Sequence, residues 1–324
     1  MKRLGYDVQS SFMQATGWQR GEGETEVLFD GGEESMTKTP RLSPSGIEYL
    51  THTWNFGSGC SNFKTPACPL GEHCWAYQQT KRYPALYPNG FKPTLYPEAF
   101  LSPLGLKKPA RIGVCFMGDL FCDGFDPCED FNGKLGKDEA DNLTLKGRIL
   151  DTIEKCPQHT FVFLTKNPAG LLRWSPFQDN CWVGFSACNR EMLLYGLRQM
   201  KFVDAAVKFV FIEPMLQDDA AWCLPFSLVL AGVKWVIIGA QTKPYRPPTI
   251  GDVEAMVEVA DIAGAKVFLK NNLAPLLAMG SQIPVWAADS QCGYYCDEEH
   301  GHIDHRLRQE LPSSQPVRQY WWSE

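Results

Sequence analysis

Apolar residues in this chain come in short unbroken runs, separated by longer stretches with a helical repeat. ARIGVCF (110–116), TFVFLT (160–165), CWVGFS (181–186), KFVFI (208–212), VKWVII (233–238) and KVFL (266–269) each read as a strand. An aromatic and β-branched run at 49–56 reads as an earlier one. Runs that are continuous rather than alternating are expected of strands covered on both faces of a parallel sheet. Residues 75–82, 143–155, 190–202 and 250–263 read as helices, the last stopped by Gly264. The rhythm predicts an α/β fold built on a βα repeat: a partial or complete TIM-like (β/α) barrel, or an open doubly wound sheet. No GxGxxG follows a strand, so the dinucleotide fingerprint is missing. Residues 1–45 read as an irregular arm or lid, because 21–35 is acidic and glycine-rich with little to bury. Residues 46–285 read as the barrel, and 286–324 as a C-terminal extension.

Polar residues recur just past the predicted strands: Asp119, Lys166, Ser186, Glu213, Gln241 and Lys270. In a parallel barrel these positions share the C-terminal rim, where active sites form. The loop after the first strand, GCSNFKTPACPLGEHCWAY, opens on the same rim and carries Cys60, Cys68 and Cys74 in a C-x7-C-x5-C spacing. Three soft thiolates on one loop suit iron–sulfur or zinc. A [4Fe–4S] cluster on three cysteines leaves one iron open for a small molecule. His73 offers a Cys3His zinc site instead, and three reduced, unligated thiols is the remaining reading.

Composition narrows the setting. The chain has 324 residues, a net charge of −6 and 12 cysteines. No apolar run is long enough to span a bilayer, and the N-terminus lacks the apolar core of a secretory signal. A cytoplasmic protein without a membrane partner is expected, with thiols kept for metal or for the core. The mild acidity disfavours a broad electrostatic grip on nucleic acid but leaves room for a local basic groove. Cys115, Cys156, Cys181 and Cys223 fall in or beside apolar segments and read as core. Cys122 and Cys128 lie in the loop after MGDLF and read as solvated thiols; on the rim, Cys122 would be a hydrogen donor or an auxiliary ligand. Cys292, Cys296 and His300, with His302 and His305 beyond them, suggest a second metal site, most plausibly zinc.

Eight segments occur in an order that resembles a known family. They are THTWNFGSGC, the CWAY box with its preceding cysteine, KKPARIGVCFMGDLF, CPQHTFVFLTKNP, NCWVGFSA, FIEPM, WVIIGAQT and RQELP. Together they resemble the phage Gp37/Gp68-like family, itself similar to radical S-adenosylmethionine (SAM) enzymes. The likeness spans roughly residues 47–312, with C-x5-C here where that family carries CxxC before its aromatic pair. The resemblance implies a [4Fe–4S] cluster on Cys60, Cys68 and Cys74 and SAM on its open iron. It places Gly118 and Asp119 at the SAM amino group, Ser186 at the ribose, and Glu213 and Gln241 at SAM or substrate. Lys166 and Lys270 pair with an anionic group, and Trp75 or Tyr77 packs on adenine. It also implies a reductant such as flavodoxin or ferredoxin, a host-cytoplasmic location if phage-encoded, and a nucleotide or DNA base as substrate. A peptide or amino-acid-like substrate is the alternative on the same chemistry. A zinc-stabilised nucleic-acid-binding module and a plain iron–sulfur electron carrier are the competing classes.

Overall fold

The computed structural model describes residues 28–29, 42–65, 68, 70–129, 144–216, 224–277, 283–289 and 306–313. Its centre is an eight-stranded sheet. The strands are β1 (Leu42–Pro44), β2 (His52–Trp54), β3 (Arg111–Val114), β4 (Thr160–Thr165), β5 (Cys181–Ser186), β6 (Val207–Ile212), β7 (Val233–Ile238) and β8 (Lys266–Leu269). They pair in chain order, each of β2 to β8 parallel to the next, with β1 antiparallel on the edge of β2. The order never reverses, so the sheet is wound in one direction and is not doubly wound. The fold is therefore mixed α/β with a mostly parallel central sheet.

Seven of these strands match the predicted runs, with shifted ends. The 49–56 run is a strand only at His52–Trp54, and the 110–116 run ends at Val114, where Cys115 turns to a positive φ of 55°. The edge strand β1 was not predicted, because LSP carries no strand pattern of its own.

Helices α1 (Trp75–Arg82), α2 (Leu145–Glu154), α3 (Leu171–Trp174), α4 (Arg190–Met200), α5 (Pro225–Ala231) and α6 (Ile250–Ile262) connect the strands. Their apolar faces have helical spacing: Leu145, Ile149 and Ile153 on α2, Leu193, Leu197 and Met200 on α4, Val253, Met256 and Ala260 on α6. Side-chain caps start the longer ones. Thr144, Asn189 and Thr249 accept from the N–H groups of Gly147, Met192 and Asp252. Gly232 and Gly264 lie past α5 and α6 in the left-handed region.

These helices bury one face of the sheet in a large apolar core. The other face holds a second core of Tyr49, Leu50, Val162, Trp182, Phe209, Trp235 and Phe268. Tyr49, three residues before β2, has its ring 5.4 Å from Trp235 on β7 and 5.8 Å from Phe268 on β8. In a flat sheet β2 and β7 would stand about 24 Å apart, five spacings of about 4.8 Å. The sheet is therefore strongly curled, with aromatic side chains filling the concave side.

The two edges do not pair with each other. A strap of residues 306–311 runs along β8, with Leu269 N–H donating to Arg308 O and Glu310 N–H to Val267 O. Trp235 Nε1 donates to Glu310 O at 2.9 Å, and Asn271 N–H reaches Glu48 Oε1 at 3.1 Å. The strap belongs to the predicted C-terminal extension, and β1 to the predicted arm; both join the central sheet. Among the described residues, no helix is long and apolar enough to cross a membrane.

Candidate functional site

Parallel strands wound one way put all their C-terminal ends on one rim, and the predicted polar residues gather there. The rim is built from two tight backbone approaches. Gly59, at a φ of 88°, lies against Gly118: Gly59 N–H donates to Met117 O and Asp119 N–H to Gly59 O, both at 3.1 Å. A Cβ on Gly118 would stand 2.1 Å from Gly59 O, and one on Gly59 2.2 Å from Lys92 O. The glycine expected to admit a cofactor thus admits the backbone of the cysteine loop.

Asp119 is 7% exposed and sits between the ends of β3 and β4. Oδ1 accepts from Phe121 N–H and Thr165 Oγ1, and Oδ2 from Thr165 Oγ1 and Lys166 N–H, at 2.7 to 3.0 Å. Three donors thus make four contacts with the two oxygens expected to receive an ammonium. Burial pushes this carboxyl up, against the donation from Thr165, Lys166 and Phe121.

Lys166 follows β4, and its Nζ donates to Ser186 Oγ at 3.1 Å at the end of β5. Ser186 is buried. Glu213 accepts from Lys270 Nζ and from Asn272 Nδ2, both at 2.8 Å, and Lys270 also stands 3.7 Å from Glu48. Gln241 opens a small hairpin (Gln241–Thr242 with Tyr245–Arg246) and donates to Pro244 O. Glu213 therefore ties the ends of β6 and β8 together, while Gln241 closes its own hairpin. Thr165, Asn272, Glu48 and Cys188 were not singled out from the sequence. Thr165 ends an apolar strand and Cys188 follows one two residues late, so neither stands out; Glu48 and Asn272 become rim residues only once the sheet curls.

Cys60, Cys68 and Cys74 are all half-buried on the loop between β2 and α1. Cys74 immediately precedes α1, an end of a helix that favours a thiolate. Burial nonetheless pushes its thiol up, with Cys68 adding to the shift and Tyr77 N–H and Lys166 opposing it. The Cys60 thiol is raised, first by its hydrogen bond to Cys122 and then by burial; Cys122 is held down as the acceptor of that bond, against its own burial.

Cys122 is 1% exposed, not the solvated loop thiol expected, because its loop folds back under the cysteine loop and Ser61 N–H donates to its sulfur at 3.4 Å. Cys128 is exposed as expected, and Cys115, Cys156 and Cys181 are buried. Tyr77 stacks with Phe63 and Phe91, while Trp75 is 59% exposed. Cys223, Cys292, Cys296 and His300 lie outside the described residues.

Among the described residues, no three His, Cys, Asp or Glu side chains converge on one point as ligands of a single ion. A tetrahedral zinc with sulfurs at about 2.3 Å would demand that convergence. His73, the fourth ligand of the zinc reading, is exposed.

A rim of this kind on a curled parallel sheet defines an α/β protein with a thiol-rich candidate site. The chain belongs to the family described as "Protein of unknown function (DUF5131)", whose pattern matches residues 44–271, a span that takes in β2 to β8. Among solved structures, the chain is similar to "Spore photoproduct lyase complexed with dinucleoside spore photoproduct". The two share 13% identity at a TM-score of 0.41, over 78% of this chain and 77% of that one. A search of curated proteins returns no match.

Proposed function

We propose that this chain is a radical SAM-type enzyme in an incomplete (β/α) barrel, with Cys60, Cys68 and Cys74 holding a [4Fe–4S] cluster beside SAM. The observation that carries the reading is the three half-buried thiols on the loop leaving the first parallel strand, at the rim where Lys166 and Ser186 also end. The ordered-segment resemblance to the phage Gp37/Gp68-like family supports it. The donor set suits the group: three soft thiolates carried on one loop. When bound, cluster and SAM supply a 5′-deoxyadenosyl radical that abstracts hydrogen from substrate.

The chain's own residues bind and position. Lys166 offers an ammonium whose side-chain partner is the neutral Ser186 hydroxyl, which fits it to the carboxylate of SAM or to a substrate anion. Ser186 aims Lys166 and keeps a hydroxyl lone pair for a ribose. Asp119 acts through others, fixing Thr165 and the backbone of Lys166. Gly118 lets the cysteine loop seat on β3, and Glu213 braces the strand ends behind it while Gln241 closes its own hairpin. The exposed hairpin at the end of β7 presents Lys243, Tyr245 and Arg246, two cations and a ring, which suit an anionic, stackable substrate such as a nucleotide or an extruded base. Electrons come from a small reductant of the flavodoxin or ferredoxin class.

The test is anaerobic reconstitution followed by iron and sulfide analysis. The wild-type chain should take up a cluster, and the Cys60→Ala, Cys68→Ala and Cys74→Ala chains should each lose it. A full cluster in Cys68→Ala overturns the ligand assignment. Turnover with SAM and reductant should release 5′-deoxyadenosine with nucleotides or single-stranded DNA; release with peptides alone moves the substrate to peptides.

A further inference from the structure

Two cysteines at the base of the cysteine loop lie side by side, and the functional reading uses only one of them. Cys60 follows Gly59, whose backbone is clamped to Met117 and Asp119. Cys122 arrives from the other side of the same clamp, by a turn in which its N–H donates to Asp119 O at 3.2 Å. Ser61 N–H, one bond past the Cys60 carbonyl carbon, donates to Cys122 Sγ at 3.4 Å, which sets the Cys122 sulfur beside the Cys60 backbone. Both cysteines are free thiols. The segments that carry them are 61 residues apart at the Ser61–Cys122 bond, yet are held side by side by glycines that no larger residue can replace without displacing backbone. A disulfide needs sulfurs at about 2.05 Å and Cα atoms about 4.4–6.8 Å apart, a separation that requires two segments held side by side.

We propose that Cys60 and Cys122 form a reversible disulfide when no cluster occupies the loop. Cys60 is half-buried and Cys122 is enclosed beneath it. With a peroxide as oxidant, one sulfur of the pair attacks a peroxide oxygen, the O–O bond breaks, and one water leaves with a sulfenic acid left on that sulfur. The other sulfur then attacks it, the S–O bond breaks, and a second water leaves as the S–S bond forms. Two thiols lose two electrons and two protons, and one peroxide becomes two waters. The disulfide removes one sulfur of the metal triad, so the oxidised chain cannot take up a cluster on three cysteines until a thiol reductant reopens the pair. The side-by-side placement of the two cysteines stands whether or not the triad binds iron.

The experiment uses the full cluster-free chain treated with hydrogen peroxide, alkylated under denaturing conditions and mapped as non-reduced peptides by mass spectrometry. The expected product is a Cys60–Cys122 linked peptide that disappears on treatment with dithiothreitol. It should be absent from Cys122→Ser and unchanged in Cys128→Ser, whose thiol is exposed and lies elsewhere. Recovery of Cys122 fully alkylated while Cys60 is joined to Cys68 or Cys74, or is over-oxidised, overturns the proposal. The wild-type map decides the point even if Cys122→Ser folds poorly. Loss of the link with an intact cluster-binding triad would tell against this inference alone; a formed link in a chain that never binds iron would tell against the functional reading alone.

Discussion

Gly59 and Gly118 set the site by what they lack. Each leaves room for a backbone atom where a side chain would stand, and neither neighbour is the flexible end of a side chain that can swing away. Gly118→Ala should therefore destabilise the fold by roughly 1–3 kcal/mol or more, as overpacking does, and should loosen the cysteine loop. Chemical denaturation measures the first and amide exchange at residues 59–63 the second. Asp119 is the other residue whose role changed with the structure. Asp119→Ala strands Thr165 Oγ1, Lys166 N–H and Phe121 N–H in a buried place, at a cost of about 2–5 kcal/mol by the usual penalty for lost charged hydrogen bonds. Unaltered stability in Asp119→Ala would show that the carboxylate does not tie β3 to β4. Both residues were legible as rim residues from their place after an apolar run. What they face was not, because a contact with residue 59 or 165 is invisible in local pattern.

The strap at 306–311 decides how the sheet ends. It supplies the backbone partners that β8 would otherwise offer to solvent, and Glu310 pins it. Glu310 Oε2 accepts from Val267 N–H at 2.8 Å and from Arg308 Nε at 3.0 Å. Burial alone would push this carboxyl up, but those donors outweigh it and hold it below the usual carboxylate range. A carboxyl depressed in the folded state gives stability that is complete above its unfolded value, about 4.3, and is lost as pH falls through the lowered folded value. The wild-type chain should thus lose stability below about pH 4 more steeply than Glu310→Gln, with the two curves converging at the acid end. Parallel curves across that range would remove Glu310 from the strap's energetics. Faster amide exchange in Lys266–Leu269 of Glu310→Gln is the local sign to seek. RQELP was visible as one segment of the resemblance, yet its service as an edge cover needed the partner strand.

Two cores on opposite faces make the sheet one unit. The helix-side core follows from amphipathic spacing, and any sheet of this class would have it. The concave core is particular to this chain. Trp235 touches Tyr49, Trp182, Phe209 and Phe268 and donates to the strap, so one side chain joins strands from across the curl. Trp235→Ala should cost about 3–5 kcal/mol, measured by urea unfolding, because a large buried ring leaves a cavity its rigid neighbours cannot fill. A loss below about 1 kcal/mol would mean that the concave core is not packed as described.

The sequence by itself determined the main elements and that their strands run parallel, and left open whether they wind one way or two. Unbroken apolar runs on a βα rhythm demand a parallel sheet covered on both faces, and such a sheet brings its strand ends to one rim. It also determined that three thiols meet that rim, because Cys60, Cys68 and Cys74 share one loop after the first strand. Only the tertiary structure decided how far the sheet curls, which is set by aromatic packing between residues almost 190 positions apart, Tyr49 and Trp235. Only the tertiary structure, too, decided which polar groups remain available. Asp119 and Glu213 bond to neighbouring strand ends, Gln241 bonds within its own hairpin, Lys166 reaches Ser186, and Cys122 sinks under the cysteine loop. Such partners are a property of three-dimensional neighbours, and no local pattern in the chain encodes them.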